Sequence, residues 1–222
     1  MDDPGLDPGQ HDSALKGLRR INRISRTLQR VAHEIKTHSG PAGQSQLQIL
    51  DVASGGGDLA VGLSAFAKKR SLNWKVTGAD ISPHAVEHAS GKARKAGLDT
   101  RFFQLDAVNQ PVPQKFDVVI SSLFLHHLSE DEAGKLLKNM AAAANRLVLI
   151  DDLVRSHTGY WLAWLGCRLL SRSPIVHHDG PASVKSSFQL EEVTQLANAA
   201  GLLNHRLKRH WPERFTLTWC PQ

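Results

Sequence analysis

Residues Gln46-Leu47-Gln48-Ile49-Leu50-Asp51-Val52-Ala53-Ser54-Gly55-Gly56-Gly57-Asp58-Leu59-Ala60-Val61 decide the fold. Leu47, Ile49, Leu50 and Val52 form a short apolar run that ends at a breaker, the pattern of a buried strand. Three consecutive glycines follow, then a helical pattern led by Asp58. Glycine takes positive φ freely and lets a ligand approach the main chain closely. The first N–H groups of the helix have no partner within it and can meet polar ligand atoms. The stretch therefore predicts a nucleotide-sized ligand site at the carboxyl end of a parallel strand.

Downstream, strands and helices alternate, which predicts a parallel sheet of βαβ units. Trp74 to Ala79 reads as strand two, ending at Asp80. Ser82 and Pro83 then open a helix that stops at Gly97. Thr100 to Leu105 reads as strand three, and the almost wholly apolar Phe116 to Ser121 as a central strand four. Ser129 with Glu132 makes a capping box for a helix over 130–144. Arg146 to Ile150 reads as strand five, ending at Asp151-Asp152. The rhythm breaks over 153–187, which holds Tyr160, Trp161 and Trp164 and the stretch Ser173 to Pro181. An interruption of that length in a compact domain is usually functional. A helix over 190–200 and a hairpin of 203–210 with 214–220 close the chain.

Upstream, residues 1–13 read as a loose arm and 14–37 as a helix. Ile21, Ile24, Leu28, Val31 and Ile35 form its apolar stripe. Arg19, Arg23, Arg26 and Arg30 form a basic stripe, either a solvated face or an anion-recognition ridge. The expected division of this single domain is 1–45 for arm and helix, 46–152 for the core, 153–188 for an insertion over the substrate, and 189–222 for the last helix and hairpin.

The chain has 222 residues, 41% of them hydrophobic, which suits one folded domain with a sizeable core. A formal charge of +6 permits an acidic partner without requiring one. Cys167 and Cys220 make neither a disulfide framework nor a metal quartet and fit a reducing cytoplasm. The N-terminus lacks a basic-then-apolar signal pattern. Tyr160 to Leu170 is too short to span a bilayer and carries Arg168. The expectation is a cytoplasmic protein with no membrane association, monomeric or homodimeric.

Two turns share the observed spacing. Gly55, Gly57 and Ala60 satisfy the G-x-G-x-x-G/A dinucleotide pattern. Asp51, Gly55 and Gly57 also match the D-x-G-x-G-x-G turn of class I S-adenosylmethionine (SAM) methyltransferases, with Ala53 in place of the first glycine. Asp51 separates the two, because a carboxylate repels a pyrophosphate but welcomes the sulfonium and amino group of SAM. Strand ends one to four carry Asp51, Asp80, Asp106 and Ser121 on one sheet edge, where ligands of such sheets bind. Asp80 suits a ribose diol in either family, and Asp106 an adenine amino group.

The segments LDVASGGGDLA, VTGADIS, FFQLDAV, FDVVISSLFLHHL and RLVLIDDL resemble the core of class I SAM-dependent methyltransferases. The resemblance implies a doubly wound, seven-stranded α/β sheet with its last strand antiparallel. It implies SAM as cofactor, held by Asp51, Ala53, Ser54, Gly55, Gly57, Asp80, Ile81, Asp106, Ala107 and Ser121. The N-terminal helix and the insertion are similar to those of quinone and polyketide methyltransferases, which implies a small-molecule acceptor with a hydroxyl on an aromatic or quinone-like ring, within secondary metabolism.

Strand four lacks both the Asn/Asp-Pro-Pro-aromatic run of base-directed amine methyltransferases and the nucleophilic Cys of cytosine-C5 enzymes. Aromatic residues, at 6%, offer no stacking platform. Nucleic acid is therefore not expected as a partner. His126 is the candidate general base, or it only orients the substrate. His127 either packs as a turn or touches substrate, and Tyr160, Trp164, His178 and His210 are the other candidate substrate contacts, although Tyr160, Trp161 and Trp164 at helical spacing are more often core. His177-His178-Asp179 on an irregular loop has poor geometry for an ion, so no metal is expected. Two alternatives remain open: a nicotinamide-dependent oxidoreductase or nucleotide-binding module, and an RNA- or protein-directed methyltransferase.

Overall fold

The computed structural model describes residues 26–38, 46–171 and 173–221. The expected arm over 1–13, the part of the expected helix before residue 26 and residues 39–45 lie outside the described residues. Among the described residues the order is α1 (Thr27–His38), β1 (Leu47–Val52), α2 (Asp58–Lys69), β2 (Trp74–Asp80), α3 (Pro83–Lys95), β3 (Arg101–Gln104) and β4 (Phe116–Ser122). A single 3-10 turn (Leu125–His127) follows, then α4 (Glu130–Ala143), β5 (Ala144–Leu153), α5 (His157–Leu170), α6 (Pro174–Ser186), α7 (Leu190–Ala199), β6 (Arg206–His210) and β7 (Arg214–Trp219).

The seven strands form one sheet in the order β3-β2-β1-β4-β5-β7-β6. Strands β1 to β5 are parallel, and β7 runs antiparallel to both β5 and β6. This is the expected doubly wound sheet with a reversed last strand. The strand order turns back on itself between β1 and β4, and a ligand crevice belongs outside their carboxyl ends.

Side-chain alternation along the strands sends their two faces to different helix layers. Leu50, Val52, Val119, Val148 and Ile150 pack with Leu136, Leu137 and Met140 of α4 and Val193 and Ala197 of α7. Ile49, Val118, Ile120, Leu147 and Leu149 pack with Val31, Ala32 and Ile35 of α1 and with Ala60 and Leu63 of α2. The same alternation sends Asp151 toward the α1 layer and Asp152 toward the α4 layer. Local signals set the helix starts. Ser82 Oγ accepts from Ala85 N–H, and Ser129 and Glu132 close a capping box at α4.

Three expectations need correction. His177, His178 and Asp179 lie inside helix α6, not on a loop. Pro174 fits its first turn, but Pro181 sits in its interior, where sequence alone argues for a break. Trp161 is 62% exposed and is not core. Arg30 does not stand in solvent on a basic stripe. It donates to the Trp211 carbonyl at 3.2 Å and lies 3.6 Å from the Asp151 carboxylate.

Candidate functional site

The turn after β1 is shaped by backbone conformation. Ala53 has φ 52°, Gly55 φ 49° and Gly57 φ 72°. A Cβ on Gly57 would stand 2.7 Å from Ala89 Cβ and 2.9 Å from the Phe102 ring, so only glycine lets α2 start there. Ala53 takes the left-handed conformation at the position where the family turn has glycine, at a cost of about 1–2 kcal/mol. The Asp80 carboxylate fixes the loop: Oδ2 accepts Gly55 N–H at 2.7 Å and Oδ1 accepts Ser82 N–H at 3.0 Å. Each oxygen keeps a lone pair for a further donor.

Three buried polar atoms beside this turn have no partner among the described residues: Asp51 Oδ2, Ser54 Oγ and Ser121 Oγ. Val52 is in register with Ser121, so the ends of β1 and β4 bring the three orphans to one edge. Buried polar groups are nearly always satisfied, so the cluster fits a ligand with several polar groups. Burial pushes the Asp51 carboxyl up to about 7. Nearby Asp80 adds to the shift, and the Ala60 N–H opposes it. A carboxylate held there fits a cationic ligand group and disfavours an anionic one. The residues present therefore fit SAM, which offers a sulfonium, an α-amino group and a ribose diol.

The outer contacts are less committed. Ile81 is 60% exposed and offers an apolar surface beside Asp80. Asp106 lies past the end of β3 and accepts from the N–H groups of Val108 and Asn109 and from the Asn109 amide. The Asn109 amide above all holds its carboxyl below the ordinary value. Ala107 is buried beside it.

At the end of β4 the structure reveals a partner for His126. Its Nδ1 is 2.7 Å from Asp152 Oδ1, and both side chains are buried. A carboxylate can only accept here, so Nδ1 carries the proton and Nε2 is the free basic nitrogen. Asp152 is itself fixed by the N–H groups of Phe124, His126 and Leu153. His127 is exposed, with its ring centroid 4.1 Å from that of His126.

The other candidates separate. Tyr160, Trp164 and His178 line one cavity of about 420 Å³ between α5 and α6, together with Arg168, His177 and Lys185. Helix α6 touches the 3-10 turn that carries His126. His210 is elsewhere: its Nε2 lies 3.2 Å from Asp151 Oδ2 and 3.0 Å from Thr216 Oγ1, in a buried cluster. Asp151 also pairs with Arg214 and receives the Thr216 hydroxyl at 3.2 Å. Burial alone would raise the Asp151 carboxyl. Arg214, then His210 and Arg30, overcome this and hold it below the usual range. The described part of the N-terminal helix does not line the cavity, because Val31 and Ile35 bury its apolar face against the sheet.

Sequence reasoning missed Asp152, Asp151 and Arg214. The available signal was the paired acid at the end of strand five, next in the sheet to a strand that the His126-His127 turn follows.

Residues 49–146 match a family model described as a methyltransferase domain. Over 106 residues the chain is 37% identical to a demethylmenaquinone methyltransferase of Thermus thermophilus, covering 47% of this chain and 46% of that protein. It therefore spans about half the length of that relative. Over 199 residues it is 27% identical to a ubiquinone biosynthesis O-methyltransferase of Rickettsia prowazekii, covering 87% and 75%. The fold is similar to the plantazolicin methyltransferase BpumL, solved with a triazolic desmethylPZN analog and S-adenosylhomocysteine (SAH). The TM-score is 0.70 at 16% identity over 96% of this chain and 91% of that one. With an acid-glycine turn whose residues fit SAM and a sheet whose last strand is reversed, residues 49–146 carry the match to a methyltransferase domain.

Proposed function

We propose that the protein methylates a hydroxyl oxygen of a ring-bearing small molecule, with His126 as general base and Asp152 as its positioning residue. The observation that carries this reading is the buried Nδ1–carboxylate contact of 2.7 Å at the end of β4. It leaves Nε2 without the proton, on the 3-10 turn that follows the carboxyl end of β4. His126 takes the acceptor hydroxyl proton at Nε2, and Asp152 stabilises the imidazolium that forms. Asp51, Ser54, Gly55, Asp80 and Ser121 would hold SAM, with Ile81, Asp106 and Ala107 at its adenosine end. When bound, SAM supplies an electrophilic methyl group. The relatives named for quinone biosynthesis support a small, flat acceptor. Residues 153–188 would cover it and exclude water.

The test is methyl transfer to phenol and catechol acceptors by the wild-type protein and by His126→Ala, with the product located by mass and NMR. An O-methyl product that depends on His126 supports the reading. Transfer that ignores His126 contradicts it. A second reading, transfer to a ring carbon, is favoured by the relative named demethylmenaquinone methyltransferase. The same NMR spectrum separates the two.

A pH dependence follows from Asp51. Its carboxyl is raised to about 7, so near neutral pH much of the free protein carries the proton. A bound sulfonium favours the ionised form. SAM binding therefore releases a proton and tightens as pH rises from about 5.5 toward 7, then levels off. SAH has no sulfonium charge and should respond less. Calorimetry in buffers of different ionisation enthalpy measures the released proton. The Asp51→Asn variant should lose the pH dependence along with affinity, and an equal pH response of SAM and SAH would contradict the account.

A further inference from the structure

We infer that the groove between α5 and α6 binds an anionic substituent, a carboxylate, on a ring-bearing acceptor. This rests on the reading of the protein as a small-molecule methyltransferase and adds a charge requirement to it.

The groove has aromatic walls with cations lying on them. The Arg168 guanidinium carbon stands 4.0 Å from the Trp164 ring centroid, and Lys185 Nζ stands 4.9 Å from the Tyr160 ring centroid. Tyr160, Trp164 and Arg168 recur every fourth residue along α5 and so share one side of it. Arg168 donates to the Trp164 carbonyl at 3.2 Å, and neither cation meets a carboxylate among the described residues. The only acid in 157–186 is Asp179, against Arg168, Arg172 and Lys185. Asp179 lies 3.4 Å from His178 Nδ1. His177 Nε2 lies 2.8 Å from the Ser171 carbonyl, which can only accept, so Nε2 is the donor and the ring orientation is fixed.

A guanidinium held flat on an indole keeps its edge donors directed outward, and those donors match the two oxygens of a carboxylate. The aromatic faces are already taken by cations, so a cationic ligand is repelled. An uncharged ring would gain stacking area but leave both charges unmatched. The volume of about 420 Å³ accommodates a substituted ring. Helix α6 forms one wall of the groove and also touches the turn that carries His126, which places the groove beside the proposed base.

The test measures binding of 2-, 3- and 4-hydroxybenzoate and their methyl esters to the SAH-loaded protein by calorimetry, and turnover of the same compounds with SAM. The expected result is that at least one acid binds tenfold or more tighter than its ester. Arg168→Gln with Lys185→Gln should remove that preference while SAH affinity stays unchanged. Equal binding of acid and ester overturns the inference, as does a preference that survives the double variant or no acid binding at millimolar concentration. Turnover separates the two claims. If acids bind through Arg168 and Lys185 but gain no O-methyl group, the groove stands and hydroxyl transfer fails. If uncharged phenols are methylated with no acid preference, the reverse holds.

Discussion

Replacing His126 with Ala is expected to lower kcat by about 10²–10⁴-fold, the usual contribution of a positioned base, while SAM affinity stays within about twofold. The physical reason is that a neutral phenol, with a pKa near that of tyrosine at about 10, is a poor nucleophile at neutral pH. The deficit should therefore shrink as pH rises toward 10, where the acceptor ionises without help. Asp152→Asn is the companion variant. Asn keeps an oxygen in the place of Oδ2 for the N–H groups of Phe124 and His126, but its amide nitrogen in the place of Oδ1 can donate to the ring and favour the tautomer with the proton on Nε2. It should lose nearly as much rate as His126→Ala, and the two changes together should cost little more than either alone. Additive losses, or a pH-independent deficit in His126→Ala, would mean that the pair supports the turn after β4 and takes no proton.

The largest stability effect is expected at Asp151. This carboxylate is 0% exposed and holds Arg214, His210 and Thr216 of the hairpin together with Arg30 of α1. Asp151→Ala leaves the buried Arg214 guanidinium without its counter-charge, and breaking such a pair costs about 3–5 kcal/mol. For a domain of this size that is a fall in Tm of roughly 10 °C. Replacing Asp151 and Arg214 together by Leu and Met should recover much of the loss, since the expensive state is the unpaired charge. The sign in acid follows from the depressed carboxyl. Its stabilisation is present above the unfolded value of about 4 and is lost as pH falls below it. Thermal melts of the two variants from pH 7 to pH 3 check both statements. A Tm change under about 2 °C in Asp151→Ala would show that solvent already screens the cluster.

What the sequence made legible was local. The apolar run, Asp51 and the glycines lie within a dozen residues, so strand, turn and helix could be read together. Ser82 and Ser129 announce their helices for the same reason. What stayed hidden depends on register. His126 and Asp152 are 26 residues apart and meet because Ser122 of β4 lies against Asp151 of β5. Asp151 and Arg214 are 63 residues apart and meet because β7 returns antiparallel beside β5. No periodicity in either segment records that pairing. His210 went astray for this reason, since an exposed-looking histidine near the end of the chain gives no hint of a buried carboxylate opposite. The insertion was misread through Pro174, Gly180 and Pro181, which argue for a loop by propensity. Gly180 lies against Cys167 with no room for a Cβ, so close packing of α5 on α6 overrides the propensity.

The central claim is that the acid-glycine turn is built for a cationic nucleoside. Calorimetric titration of the purified chain with SAM, and separately with NAD, tests it most directly. The account predicts one SAM site per chain and no heat of binding with NAD. Asp80→Ala should weaken SAM by about 1.5–3 kcal/mol, the scale of hydrogen bonds to a charged group. Saturable NAD binding with no SAM binding would contradict it.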